Sequence, residues 1–207
     1  MILWDASAAA TFKATVNDIN NVTGDLKNWF TDIYVRRRAY ISGIIAGSTG
    51  TSLISGLYPG ILAGLTNRAV GDYSSVLGGS TNLASGASSS IGGGDSHQIF
   101  GQRSAILGGT TSFVRPTDSV VLGGDTNQII GSQANTSAIL AGASNVITGN
   151  STSSVILGGN SNRLMGIESA IVAGETNLVS GSYCVVLGGT GNLTSGRNSA
   201  VFGVRTK

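Results

Sequence analysis

The chain contains very few residues of several kinds, and each scarcity excludes a class of protein. One cysteine among 207 residues excludes an internal disulfide, and two prolines exclude both a collagen and a proline-rich disordered chain. Charged residues make up only 11% of the chain, whereas about 25% is usual in soluble proteins. Much of the surface is therefore expected to be neutral and polar, or covered by another subunit, which favours an oligomer.

Signals for membranes, export and nucleic acids are also lacking. No run of 18 apolar residues occurs, so neither a transmembrane helix nor membrane insertion is predicted. Residues 1–5 lack the basic start and the long apolar run of a secretory signal, which predicts synthesis in a cytoplasm. The net charge of +2 is small and the basic residues form no stripe, so nucleic acid is not an expected partner.

Residues for catalysis or metal binding are scarce. Catalysis requires convergent titratable residues, and the chain has one histidine, His97, at a position where related segments carry asparagine. The Gly-Gly-Gly-Asp sequence at 92–95 is not followed by Gly-Lys-Ser/Thr, and aspartate does not recur as calcium repeats require. We therefore expect no enzymatic activity and no cofactor or metal, and interpret His97 and Cys184 as structural residues.

Glycine, by contrast, occurs 32 times and recurs with a fixed period. Seven of ten spacings between repeat starts are 15 residues, and the other three, of 17, 18 and 17, are interpreted as insertions near the end of a unit. The repeats are predicted to start at Ile41, Tyr58, Tyr73, Ser88, Arg103, Asp118, Thr136, Ser153, Glu168, Tyr183 and Asn198.

Two positions of the unit predict corners of a coil. Position 7 is glycine in every complete unit, and position 14 is glycine in most units, with Pro116 as an exception. Glycine turns through positive φ and lets two backbones approach closely at low cost. The glycines predicted at the first corner are Gly47, Gly64, Gly79, Gly94, Gly109, Gly124, Gly142, Gly159, Gly174 and Gly189.

Apolar residues at positions 4, 5 and 12 predict two short strands in each unit. Position 4 is Val or Ile throughout, from Ile44 to Val201, and position 5 is usually Leu. Neighbouring residues of a strand point to opposite faces, so both faces of the first strand are expected to be buried. The leucines form a predicted oligomer interface: Leu62, Leu77, Leu107, Leu122, Leu140, Leu157 and Leu187.

Polar residues at two further positions predict ladders along the stack of coils. Position 2 is serine in nine of eleven units, and position 10 is asparagine in seven. Stacked amides are expected to bond to their equivalents one coil away. The asparagine ladder consists of Asn67, Asn82, Asn127, Asn145, Asn162, Asn177 and Asn192.

Residues 1–40 differ from the repeats and form a separate predicted segment, followed by a repeat domain over 41–207. Heptad spacing over about residues 8–35 predicts an amphipathic helix. It either forms a short trimeric coiled coil or packs on the first coil or on another protein, and Arg36 to Arg38 suit the negative end of its dipole or an acidic partner. The helix seam comprises Phe12, Val16, Ile19, Leu26, Phe30 and Ile33.

The repeat, seen in Ser119-Val120-Val121-Leu122-Gly123-Gly124-Asp125-Thr126-Asn127 and in Asn198-Ser199-Ala200-Val201-Phe202-Gly203, resembles the YadA-like head repeat of trimeric adhesins. The resemblance covers 41–207. It implies an all-β fold, a left-handed parallel β-roll or β-solenoid of about eleven coils, assembled as a homotrimer. Similar repeats occur in phage fibre proteins, which are released by lysis. We expect this second setting, because neither a signal peptide nor a carboxy-terminal membrane barrel is evident.

The resulting hypothesis is a structural virion protein on the exterior of a phage: a tail fibre, spike, head fibre or capsid decoration. Residues 1–40 would attach it to other virion proteins, and a host-surface glycan or receptor is a further expected partner. The alternative is a cellular trimeric adhesin or a carbohydrate-binding module, in which Tyr58, Tyr73 and Tyr183 either stack on sugars or pack on the surface. An ice-binding solenoid is disfavoured, because threonine recurs singly at position 9.

Overall fold

The computed structural model describes residues 44–45, 48–49 and 51–203, which form a parallel β-solenoid of about ten turns. Every strand pairs in parallel with its equivalent one coil away. The predicted all-β solenoid is confirmed, and the described residues contain no helix, hence none that could cross a membrane. The predicted helix, its seam and the boundary at residue 40 lie outside the described residues.

Two sheets, with strands numbered along the chain, face each other across each coil. The 11-stranded sheet contains β1 (Ile44–Ile45), β4 (Gly60–Ile61), β7 (Ser75–Val76), β9 (Ser90–Ile91), β11 (Ala105–Ile106), β13 (Val120–Val121), β15 (Ala138–Ile139), β17 (Val155–Ile156), β19 (Ala170–Ile171), β21 (Val185–Gly188) and β23 (Ala200–Phe202). The 10-stranded sheet contains β3 (Leu53–Ile54), β6 (Arg68–Ala69), β8 (Leu83–Ala84), β10 (Gln98–Ile99), β12 (Phe113–Val114), β14 (Gln128–Ile129), β16 (Val146–Ile147), β18 (Arg163–Leu164), β20 (Leu178–Val179) and β22 (Leu193–Thr194).

The core lies between these two sheets and is filled by positions 4 and 12 of the repeat. Each coil contributes one aliphatic residue from each sheet, such as Ile106 and Val114, and these side chains are completely buried. Because both positions point into one core, the outward faces of the two sheets lie on opposite sides of it. A two-residue strand is too short to bury its apolar side chain by itself. Stacking completes this burial, because each coil covers the core residues of the next.

The first strand of each coil lies one residue earlier than predicted. In most coils it occupies positions 3 and 4, as in Ser75–Val76 and Ala105–Ile106, and the residue at position 5 follows it. In β21 and β23 the strand continues through position 5. Position 3 carries glycine, serine, alanine or valine, half-buried on the outward side in most coils, while position 4 is buried in most coils. Position 5 therefore points away from the core, as alternation requires.

The first repeat also has a different register from the prediction. Ile45, not Ile44, pairs with Ile61, and Ser48, not Gly47, pairs with Gly64. Leu53 then pairs with Arg68 at the ordinary spacing of 15. The first two pairings are 16 residues apart and not the predicted 17, so this repeat has one extra residue. That residue lies between Thr49 and Leu53, in the corner, and not near the end of the unit. The repeat pattern placed it wrongly because Ile44 and Ile45 both fit position 4, and Gly47 fits either position 6 or position 7.

Glycine at position 7 is required for two separate reasons. These glycines, from Gly64 to Gly189, have φ between +84° and +102°. A Cβ atom on Gly159 would lie 2.2 Å from the carbonyl oxygen of Gly174 in the next coil. At position 14 most glycines have an ordinary φ and are required by the close approach alone: a Cβ on Gly166 would lie 1.8 Å from the carbonyl oxygen of Gly181. Gly149 is the exception, with φ +74° and no atom closer than 3.7 Å to such a Cβ.

Each coil has two further corners that the sequence did not reveal. Among residues 51–203, eighteen residues other than glycine, at positions 1 and 9, adopt φ between +48° and +59°. Their N–H groups point backwards: Thr111 donates to Asp95 in the preceding coil at 2.8 Å, and Arg103 donates to Ala87 at 2.9 Å. Single backbone bridges at position 8, such as Thr110 with Asp125, add a third ladder, which begins with β2 (Ser48–Thr49) and β5 (Gly64–Leu65).

Candidate interaction surfaces

The asparagines at position 10 lie inside the solenoid, at the corner after the glycine turn. All seven are at most 1% exposed. In Asn162 the Nδ2 group donates to the carbonyl of Gly174 in the next coil at 2.9 Å, while Oδ1 accepts the backbone N–H of Asn177 at 3.0 Å. Their side chains therefore join successive coils and are not available to an external ligand.

The serines at position 2 form a second internal ladder. Ser154 accepts the backbone N–H of Ser169 at 3.1 Å and donates from Oγ to the carbonyl of Gly166 at 2.8 Å. Cys184 takes the same place in its coil, where its Sγ lies 2.9 Å from the carbonyl oxygen of Gly196. Because Cys184 is fully buried, it acts as a structural replacement for serine in this ladder.

His97 interrupts the asparagine ladder and is completely buried. Its backbone N–H donates to Asn82, and its Nδ1 accepts the N–H of Ser112 at 3.0 Å. Nε2, which therefore carries the proton, is buried without a hydrogen-bond partner. Burial lowers the pKa of His97, against smaller opposing effects of the Gly109 carbonyl, the Asp95 charge and the Ser112 backbone.

Leucines at position 5 form an outward apolar column, hereafter the leucine stripe, along the 11-stranded sheet. Six of the seven leucines are 39% to 57% exposed in the single chain, and Leu140 is half-buried. Adjacent rungs place Leu107 next to Leu122, at the spacing of about 4.8 Å that parallel strands adopt. Both faces of this sheet were predicted to be buried. The face towards the core is buried, whereas the outer face, which carries the leucines, is exposed in the single chain.

Position 1 forms an exposed edge with a varied set of residues. Tyr58 and Tyr73 stack with their ring centroids 5.5 Å apart, and Arg197 lies over the ring of Tyr183 at 4.9 Å. Between these two pairs along the edge, Arg103 binds Asp118 through two hydrogen bonds of 2.6 and 2.7 Å, which lower the pKa of that carboxyl group. These contacts join neighbouring coils on the surface, where ion pairs contribute little to stability.

The outward face of the 10-stranded sheet carries a second candidate surface around β10, β12 and β14. Phe100 and Phe113 lie there with ring centroids 5.5 Å apart, and the guanidinium of Arg115 lies 5.9 Å from the ring of Phe113. An open groove beside these rings is lined mainly by uncharged polar side chains. The repeat pattern missed this surface because positions 11 and 13 vary from coil to coil. The one available signal was the occurrence of phenylalanine in two consecutive units.

Comparison with known proteins gives no family for the chain: no protein-family model matches it, and no curated protein is similar to it. Within residues 51–203, moreover, no three histidine, cysteine, aspartate or glutamate side chains are grouped as a metal site would require. The candidate surfaces for function are the leucine stripe, the position-1 edge and the groove on the opposite sheet.

Proposed function

We propose that this chain is a structural protein of a phage particle, a trimeric tail fibre, head fibre or surface decoration built on a left-handed β-roll. Residues 1–40 attach it to other virion proteins, and the solenoid projects from the particle. The proposal is supported by the resemblance of the repeat to YadA-like head repeats, which assemble as trimers.

The leucine stripe is the observation that carries this proposal. A column of seven leucines, interrupted at Gly92 and Val172 and 39% to 57% exposed for six of its members, is unusual on a monomeric protein. Burying apolar surface contributes about 25 cal/mol per Å², so covering the column between copies is strongly favourable. Association of copies around a common axis would cover this column in every copy at once.

Two pairs of substitutions test whether the stripe forms the trimer. Leu107→Gln with Leu122→Gln changes adjacent rungs of the stripe. Leu178→Gln with Leu193→Gln changes adjacent rungs of the other sheet and serves as the control. By light scattering, the unmodified chain and the control pair should have three times the chain mass of 20.8 kDa. The trimer of the stripe pair should dissociate at a protein concentration at least ten-fold higher than that at which the unmodified trimer dissociates. An unmodified chain that is monomeric would contradict the trimer.

The location on a particle is tested separately from the trimer. Mass spectrometry of purified phage particles should detect the chain in fixed ratio to capsid or tail proteins. When the phage expresses a chain without residues 1–40, the purified particles should not contain that chain, because the attachment segment is missing. Finding the trimer on cell surfaces but not on particles would instead favour a cellular adhesin.

A further inference from the structure

The groove on the 10-stranded sheet is an open depression of the size of a small ligand site, with a mainly polar lining. Its volume is about 330 Å³, at the lower end of the range of about 300–1,000 Å³ for small-molecule sites. Ser96, Thr111 and Ser112 line it from the corner, while Gln98, Phe113 and Gln128 line it from the sheet. None of these six side chains is charged, so the groove offers neutral hydrogen-bonding groups around one aromatic ring.

The register of three neighbouring strands arranges the sheet side of the groove. Gln98 pairs with Phe113, and Phe113 pairs with Gln128. The ring of Phe113 is therefore flanked by one amide on each side, about 4.8 Å away along the column. An amide presents both a donor and an acceptor, so the two glutamines are able to bind groups that lie on either side of the ring.

Four polar side chains of this groove are available to a ligand. Within the described residues, Ser96, Gln98, Thr111 and Gln128 make no side-chain hydrogen bond, whereas Ser112 is only 1% exposed and belongs to the buried position 10. One coil further on, by contrast, the Thr126 hydroxyl donates a hydrogen bond to the carboxylate of Asp125 at the same corner.

The coils that form the groove are also those that depart most from the repeat. His97 and Ser112 stand where other described coils from Tyr58 onwards have asparagine, and Pro116 replaces a glycine. Phe113 and Phe100 are the two aromatic side chains at positions 11 and 13 within residues 51–203. The contacts of Phe113 with Phe100 at 5.5 Å and with Arg115 at 5.9 Å hold the ring beside the groove.

We propose that this groove binds a neutral oligosaccharide, with one sugar ring on Phe113 and its hydroxyls bonded to Gln98 and Gln128. A sugar presents an apolar C–H face for an aromatic ring and hydroxyls for amides, and it needs no charged partner. A phosphate or carboxylate ligand would require cations in the lining, and Arg115 lies outside the lining residues. A protein partner of ordinary size would need about 800 Å² of complementary surface, far more than one groove supplies.

The groove is compatible with the proposed trimer. Ile106 and Val114 point into the same core from opposite sheets, so the groove faces away from the leucine stripe. The inference deepens the proposed function, because it locates the contact with the host surface, and it rests on that function for its biological role.

A glycan array of neutral and acidic oligosaccharides, probed with the full chain, tests the proposal. Neutral oligosaccharides should bind, and calorimetry with the strongest of them should give an affinity that falls at least ten-fold in Gln98→Ala with Gln128→Ala and in Phe113→Ala. Phe113→Tyr, which keeps the ring, should bind within about three-fold of the unmodified chain. The matched controls are Gln102→Ala with Gln133→Ala, whose side chains are exposed elsewhere, and Phe202→Ala, whose ring is 75% exposed.

Several outcomes would overturn the groove as a sugar site. These are an array without neutral binders, binding by acidic glycans alone, and affinity that is lost in Tyr58→Ala with Tyr73→Ala but kept in the groove variants. Light scattering on the same samples keeps the two proposals distinct. A trimer that binds no neutral sugar refutes only the groove, whereas a monomer that binds sugar through Phe113 refutes only the trimeric fibre.

Discussion

The Oδ1 atom of Asn145 accepts two hydrogen bonds from Asn162 one coil further along, from its backbone N–H and from its Nδ2, both at 3.1 Å. The Nδ2 of Asn145 donates in turn to the carbonyl of Gly159 in that same next coil at 2.9 Å. One buried side chain thus connects two coils by three hydrogen bonds. Because bonds in such a row polarise one another, the ladder is expected to contribute strongly to the cohesion of the solenoid.

Replacing one member of this ladder should therefore be costly. Asn145→Ala leaves the backbone N–H of Asn162 buried without its acceptor, and a buried unsatisfied group costs about 1–3 kcal/mol. With the other lost bonds, we expect the free energy of unfolding in urea to fall by about 3 kcal/mol. Asn160→Ala, at an exposed position two residues away from Asn162, is the control and should change it by no more than about 0.5 kcal/mol. An equal fall in the free energy of unfolding in both variants would show that the buried ladder contributes no more than an exposed asparagine.

Two adjacent glycines provide a second test with an internal control. Gly159→Ala forces a Cβ to within 2.2 Å of a backbone oxygen, at φ +97°, and should lower the free energy of unfolding by at least about 4 kcal/mol. Gly158→Ala meets nothing within 4 Å and should be neutral or should stabilise by up to about 1 kcal/mol, since alanine restricts the unfolded chain. Thermal unfolding followed by circular dichroism measures both. Similar midpoints for the two variants would contradict the role assigned to position 7.

The parts of the fold that followed from the sequence are those in which one residue type satisfies one physical requirement. A buried aliphatic residue at position 4 and another at position 12 predicted two stacked sheets, and both sets lie in the core. The recurrent Gly159 and its equivalents predicted a corner that only glycine fits, and the structure shows both the positive φ and the close approach.

Other features arise from stacking and leave no residue signature. Arginine and threonine rarely adopt positive φ. Arg103 and Thr111 do so here, because each donates its backbone N–H to the preceding coil. The groove around Phe113 likewise depends on the register of three strands, which a single repeat does not display.

The single histidine predicts a specific dependence of stability on pH. Burial holds the pKa of His97 below its ordinary value of 6.5, so the unfolded chain binds a proton more readily than the folded chain. Stability is then fully present above pH 6.5 and is lost as the pH falls from there towards the lowered folded pKa. The protonated ring would also present a donor at Nδ1 to the N–H of Ser112. Urea unfolding at a series of pH values should show this loss, with a slope of at most about 1.4 kcal/mol per pH unit.

His97→Asn supplies the control, because it restores the residue that other coils carry at this position. Asparagine accepts the N–H of Ser112 through Oδ1 and donates through Nδ2 to the neighbouring carbonyls, as Asn82 does. The variant should be at least as stable as the unmodified chain at pH 7.5 and should lose the pH dependence between 7 and 5. The lowered pKa values of Asp118 and Asp125 affect stability only at more acidic pH, where both proteins should weaken together. A pH dependence that persists in His97→Asn would assign it to a group other than this buried imidazole.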